Sequence, residues 1–219
     1  MNSFDNQTSG DGEQKLPQEE PNGDGAHKGT TPWGASGVIW ETVRYAIIAA
    51  FIIIPIRTFI AQPFVVSGNS MYPTFHNGEY LIVNELAKYV GKYERGDVVI
   101  LRYPVDPSKY FIKRVVGLPG EVVAIKNGVV SITNPENTTT TILSEPYVKN
   151  PKEDNSSRTL SGDEYFVMGD NRAQSSDSRV WGPVPKRLMD GKALVRLFPF
   201  NNIALYPGGL AAFGLATSD

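Results

Sequence analysis

The 219-residue sequence predicts a mainly β domain preceded by one apolar helix. Three observations predict it. A polar N-terminal stretch gives way abruptly to the apolar run "RYAIIAAFIIIPIR", Arg44 to Arg57. The remainder breaks into short Val- and Ile-rich runs separated by turn residues. No alternation of strand and helix patterns of the βαβ kind appears.

Residues 1–36 are polar and rich in Gly, Asn, Gln and Glu. Such a segment buries too little apolar surface to offset chain entropy, so a disordered tail is expected there. The uncharged stretch Tyr45–Ile56 covers roughly 18 Å as a helix, short of the ~30 Å hydrocarbon core of a bilayer. Extension back to Val38 or forward to Ala61 reaches spanning length. A transmembrane helix within 37–62 is therefore expected, with Glu41, Arg44 and Arg57 snorkelling at its faces. Trp33, Trp40 and Tyr45 suit the interface. A buried or interfacial helix would satisfy the same run. The tail is long for a cleaved leader, and "FIAQPF" offers no small-x-small site. Flanking charges do not set an orientation.

The expected strands are Tyr80–Val83, Asp97–Leu101, Tyr110–Val116, Val122–Ile125, Val129–Ile132, Tyr165–Met168 and Ala193–Phe198. Asn127-Gly128 between two of them is a hairpin signal. "NELAKYV" predicts a short helix. Residues 133–162 are polar and rich in Thr, Ser and Asn, which predicts a long loop or small insertion. The expected organisation is a tail (1–36), an anchor (37–62), a β domain (63–200) and a C-terminal tail (201–219).

Composition narrows the chemistry. A net charge of −2 gives no electrostatic case for nucleic acid. The absence of cysteine rules out thiolate nucleophiles and thiolate metal sites. Two histidines, His27 and His76, cannot build a three-histidine zinc site. No metal or cofactor is expected.

Within "FVVSGNSMYPTF" an apolar run stops at Ser67-Gly68-Asn69-Ser70. A serine there needs a base to become a nucleophile. His76 is close in sequence but lacks an evident orienting acid, and a solvated turn residue is the plainer reading. Lys113 lies in "YFIKRVVGLPGE". Alternation puts Phe111, Lys113 and Val115 on one strand face and Ile112, Arg114 and Val116 on the other. A lysine inside an apolar face loses hydration, which lowers its pKa. Neutrality near pH 7 requires a drop of ~3 units, a cost of roughly 4 kcal/mol. A lysine on a solvent-facing strand is the alternative. In "GDNRAQSSDSRVWGPV", Asp170, Arg172, Asp177 and Arg179 crowd together with Ser175, Ser176 and Ser178. This pattern suggests an ion-paired scaffold behind a site, or a decorated surface turn.

Together, "SGNSMYPTF", "GDVVILRYPVD…YFIKRVVGLPGE" and "GDNRAQSSDSRVWGPV", in that order behind one apolar segment, resemble the type I signal peptidase family. The match covers most of residues 38–198. The resemblance implies an antiparallel β catalytic domain behind a transmembrane helix in the cytoplasmic membrane. It implies a serine endopeptidase that removes signal peptides from exported preproteins after small residues. Partners would be preprotein signal peptides and the lipid bilayer, close to the export machinery. Residue by residue, Ser70 matches the nucleophile, Lys113 the general base, and Ser175 the serine that hydrogen-bonds the lysine amine. Arg114, Asp170, Asp177 and Arg179 match the structural ionic residues. Val66, Met71, Phe111 and Ile112 fall where the family lines its substrate pockets. The Ser70 backbone N–H would be one oxyanion donor. Gly68 stands where some members carry a second donor's hydroxyl, so the second donor stays open. A self-cleaving repressor peptidase shares the Ser-Lys logic but would carry a DNA-binding helix-turn-helix upstream. A membrane-tethered binding module without catalysis is the other rival.

Overall fold

The computed structural model describes residues 35–55, 61–136 and 138–209. The expected tail, with His27 and Trp33, therefore lies outside the described residues up to position 34.

Helix α1 (Ala35–Pro55) has 21 residues. Its window Gly37–Ile54 has a mean hydropathy of 1.8, and none of it is buried. Twenty-one residues extend roughly 31 Å, enough to cross a hydrocarbon core. Ile39, Trp40, Phe51 and Ile54 are all exposed, which a helix apolar all round tolerates in lipid and not in water. The expected boundary at 62 is wrong at its last two positions. Ala61 and Gln62 open strand β1 (Ala61–Val65), paired antiparallel with β2 (Tyr80–Asn84). Pro63 supplies the reason: a residue before proline is pushed out of helical and into extended conformation.

After β2 come the short helix α2 (Leu86–Val90), β3 (Val98–Tyr103) and β4 (Asp106–Gly117). The hairpin strands β5 (Val122–Lys126) and β6 (Val129–Asn134) follow. Asn127 and Gly128 between them both have positive φ, 50° and 79°, as a two-residue turn matched to strand twist requires. Then come β7 (Thr139–Ile142), β8 (Ser156–Thr159), β9 (Glu164–Met168) and the single-turn helix α3 (Ser178–Trp181). The last strands are β10 (Val184–Pro185), β11 (Met189–Phe198) and β12 (Ala204–Leu205). The larger sheet runs β1-β2-β11-β3-β4-β9-β10, with β12 on β11, and the smaller runs β7-β6-β5-β8. Every pairing is antiparallel.

Two expectations about loops are corrected. Of the two readings of residues 133–162, a long loop or a small insertion, the long loop is excluded, because β7 and β8 lie there and form both edges of the smaller sheet. Their side chains are almost all exposed, so no apolar alternation marked them. Polar edge strands also resist pairing with other chains. Residues from 201 are not simply a tail. Strand β12 pairs with β11, and the Gly208 carbonyl accepts from the buried Arg114. Residues 210–219 lie outside the described residues.

Strand β4 links three apolar clusters. Ile112 packs with Val66, Met71, Phe75 and Leu81. Val115 joins Val99, Leu101 and Val167, with Phe111 against them. Val116 joins Val123, Ile132 and Phe166. Lys113 is set in the same strand, opposite Val99 on β3.

Candidate active site

Strand β1 delivers the chain into a turn that presents Ser70, half-buried, at its end. Gly68 makes that turn possible: its φ is +89°, a left-handed conformation that costs residues with a Cβ. The Gly68 N–H donates to Asn77 Oδ1 at 2.9 Å. Gly78 N–H bonds the Val66 carbonyl, and Val66 N–H the Glu79 carbonyl, both at 2.9 Å. The turn is thereby fastened to the His76–Glu79 bend.

Lys113 reaches Ser70 from β4. Its Nζ lies 2.8 Å from Ser70 Oγ and 2.9 Å from the Ile112 carbonyl. The residue is only 3% exposed. Burial pushes its pKa down to about 8, although Asp177 and Asp170 pull the other way. Both carboxylates are already matched by guanidinium groups. Arg114 Nε and Nη2 bind Asp170 at 2.8 and 2.6 Å, and both side chains are 0% exposed. Arg179 Nε and Nη2 each bind Asp177 at 2.8 Å. Burial opposes the Asp177 charge, but Arg179 and the Gly169 N–H outweigh it and hold the carboxyl below its usual range. Pairing leaves these acids with weak claim on the lysine proton. In its neutral form the amine has a lone pair for the Ser70 hydroxyl and an N–H for the Ile112 carbonyl.

Beside the pair runs a cleft of about 280 Å³. Val66, Phe111 and Ile112 line it. Phe64, Leu81, Ile100 and Tyr110 also line it, and sequence reasoning missed them. Met71 is a correction. It lies beneath the cleft, 1% exposed, packed with the core residues around Phe75. Ser175 is a second correction. Its Oγ is buried and makes no hydrogen bond of normal geometry to Lys113 or any other group. It lies over Gly169, where an added Cβ would collide with it and with the Ser70 carbonyl oxygen. The partners of the lysine amine are the Ser70 hydroxyl and the Ile112 carbonyl. Ser175 is near enough to Asp177 to help hold that carboxyl low.

The ionic scaffold is larger than the five charged residues read from the sequence, Arg114, Asp170, Arg172, Asp177 and Arg179. Arg172 binds Glu145 through Nη1 and Nη2 at 2.9 and 2.6 Å, and Arg179 Nη1 reaches Asp154 at 2.9 Å. Thr74 Oγ1 donates to Asp170 at 2.5 Å, tying the segment after Ser70 to the same network. Glu145 and Asp154 were hidden in the polar stretch read as a loop. His76 is not part of the pair. Its ring is 57% exposed and meets Glu79 at 3.3 Å.

A family profile described as signal peptidase, peptidase S26, matches residues 39–198. A signal peptidase I of Bacillus amyloliquefaciens is 38% identical over 77% of this chain and 90% of its own. Signal peptidase I S of Bacillus subtilis (strain 168) is 36% identical over 75% of this chain and 92% of its own. A crystal structure of a signal peptidase I from Enterococcus faecalis V583 matches 46% of this chain and 96% of that chain, at 27% identity and a TM-score of 0.40. The family read from the three motifs is the one that the profile and the relatives identify: the chain belongs to the signal peptidase family, peptidase S26.

Proposed function

We propose that this chain is a membrane-anchored serine endopeptidase that cleaves N-terminal signal peptides through a Ser70–Lys113 dyad. The observation that carries the reading is the 2.8 Å approach of a buried lysine, its pKa pushed down to about 8, to a serine hydroxyl bordering the cleft. Neutral Lys113 takes the Ser70 proton as Oγ attacks the scissile carbonyl. The protonated amine, held by the Ile112 carbonyl, then gives that proton to the leaving amine. A water activated by the same lysine hydrolyses the acyl-enzyme. The pattern is the lysine variant of the serine-histidine arrangement.

The small cleft, about 280 Å³ and walled by Phe64, Val66, Phe111 and Ile112, supports a preference for small side chains next to the scissile bond, as in A-x-A. Helix α1 supports a single-pass anchor. The proposed placement, in the cytoplasmic membrane with the β domain outside and the export machinery nearby, follows from a signal peptidase acting on exported preproteins. The test is cleavage of signal-peptide substrates by the full-length protein, with N-terminal sequencing of the products. Wild type should cut after A-x-A-like sites. Ser70→Ala and Lys113→Met should each fall to background, and the double variant no further, because residues acting as one unit are not additive. If folded Lys113→Met kept about a tenth of the wild-type rate, the dyad would be wrong.

A further inference from the structure

Asn171 has no part in the dyad or in the ion pairs, yet it grips the backbone of the nucleophile. It is 2% exposed. Its backbone N–H donates to the Ser70 carbonyl at 3.0 Å. Its Nδ2 donates to the Asn69 carbonyl at 3.0 Å and lies 3.4 Å from Gln174 Oε1. The Asn69 carbonyl facing that atom identifies it as the nitrogen, since a flipped amide would set oxygen against oxygen.

The Asn69–Ser70 peptide is trans, so its C=O and N–H point in opposite directions. Asn171 Nδ2 and the Tyr72 N–H, the latter at 3.2 Å, hold the carbonyl end. The Ser70 N–H therefore points away from them. Among the described residues no group accepts from it, and both Asn69 and Ser70 line the cleft. The Gly68 N–H, by contrast, is already occupied by Asn77.

We infer that Asn171 is a positioning residue for the oxyanion donor. Its carboxamide fixes the orientation of the Asn69–Ser70 peptide, so that the Ser70 N–H is aimed at the oxygen that gains charge when Ser70 attacks. By donating to the carbonyl it also polarises the peptide and strengthens that N–H as a donor. This role rests on Ser70 being the nucleophile.

Loss of an oxyanion donor typically costs ~10²–10³ in rate. In Asn171→Ala the donor persists but is free to turn, so kcat should fall about tenfold to a hundredfold with KM within about twofold. Asn171→Asp keeps the volume but faces the Asn69 carbonyl with an oxygen, and should lose at least as much.

The experiment uses full-length protein, an A-x-A peptide substrate and a peptide aldehyde of the same sequence. Ser70 Oγ adds to the aldehyde carbon, its proton passes to Lys113, and the former carbonyl oxygen becomes the oxyanion. The aldehyde Ki should rise by the factor by which kcat falls, in both variants, while the pH limb of Asn171→Ala stays in place. Unchanged kcat, a Ki that follows KM instead of kcat, or a shifted pH limb in Asn171→Ala would overturn the assignment. If Asn171→Ala does not fold, the isosteric Asn171→Asp decides. Activity surviving in Ser70→Ala would instead sink the nucleophile assignment, whatever Asn171 does.

Discussion

Lys113 and Arg114 are consecutive on β4 and both are buried, yet only Arg114 has a carboxylate against it. Asp170 meets Arg114 through two hydrogen bonds, while the Lys113 amine has the Ser70 hydroxyl and a backbone carbonyl. A buried cation without a counter-ion sheds its proton most easily. Consecutive positions of one strand thus hold a paired guanidinium and an amine with no carboxylate bonded to it.

The first prediction concerns rate against pH. Lys113 acts as a base only when neutral, so kcat/KM should rise with pH along a limb near pH 8, where its pKa stands. His76→Ala should leave that limb in place. A limb near 10, or one abolished in His76→Ala, would contradict the assignment.

The second concerns stability against pH. The folded-state pKa of Lys113 is about 8, below the ordinary 10.5, so between those values the unfolded chain binds the extra proton. Stability of the wild type should therefore rise with pH across that window, and the full penalty should apply below it. Lys113→Met should be more stable than wild type at pH 7 by about 1–3 kcal/mol, with the gap closing toward pH 10. Thermal melts of both proteins across this range check it. A Lys113→Met protein less stable at pH 7 would count against a buried, strained amine.

The third concerns the Arg114–Asp170 pair. Both side chains are 0% exposed, so removal of one partner strands a buried charge. Asp170→Ala and Arg114→Met should each cost about 3–5 kcal/mol, and the double variant clearly less than their sum. Denaturant midpoints in a double-mutant cycle measure the coupling, and simple additivity would refute it.

The fourth concerns the turn before Ser70. An added Cβ at Gly68 meets nothing within 4 Å, so the obstacle there is backbone conformation and not space. Gly68→Ala should cost about 1–2 kcal/mol in holding φ at +89° and lower kcat accordingly, and the β-branched Gly68→Val should be worse. Ser67→Ala and Asn69→Ala should each lose less than about tenfold in kcat, a smaller effect than removal of an oxyanion donor. A loss of about a hundredfold in either would show that its side chain supplies the second donor.

The fifth concerns topology. In sealed right-side-out vesicles, added protease should reach the β domain and spare the N-terminal tail. Digestion of the tail with the β domain shielded would reverse the proposed orientation.

The sequence by itself determined the local features. The apolar run marked α1, the Val/Ile runs marked β2, β3, β4, β5, β6, β9 and β11, and Asn127-Gly128 marked the hairpin turn. Each is a property of neighbouring residues: hydrophobicity, side-chain period or permitted φ. Ser70 and Lys113 were legible for another reason, since their motifs matched a family. Only the tertiary structure decided the rest. Strands β7 and β8 carry no apolar alternation and exist because β5 and β6 offer them edges to pair with. Met71 looked like a pocket wall and became core, because the turn at Ser70 directs the next side chain inward toward Phe75. Ser175 is matched to the lysine by its motif, but its Oγ makes no hydrogen bond to the amine, which meets Ser70 and Ile112. The lysine pKa, the pairing of Arg172 with Glu145 and the grip of Asn171 on the Asn69–Ser70 peptide all join segments far apart in the chain. Burial and charge pairing depend on distance in space, and sequence order does not encode that distance.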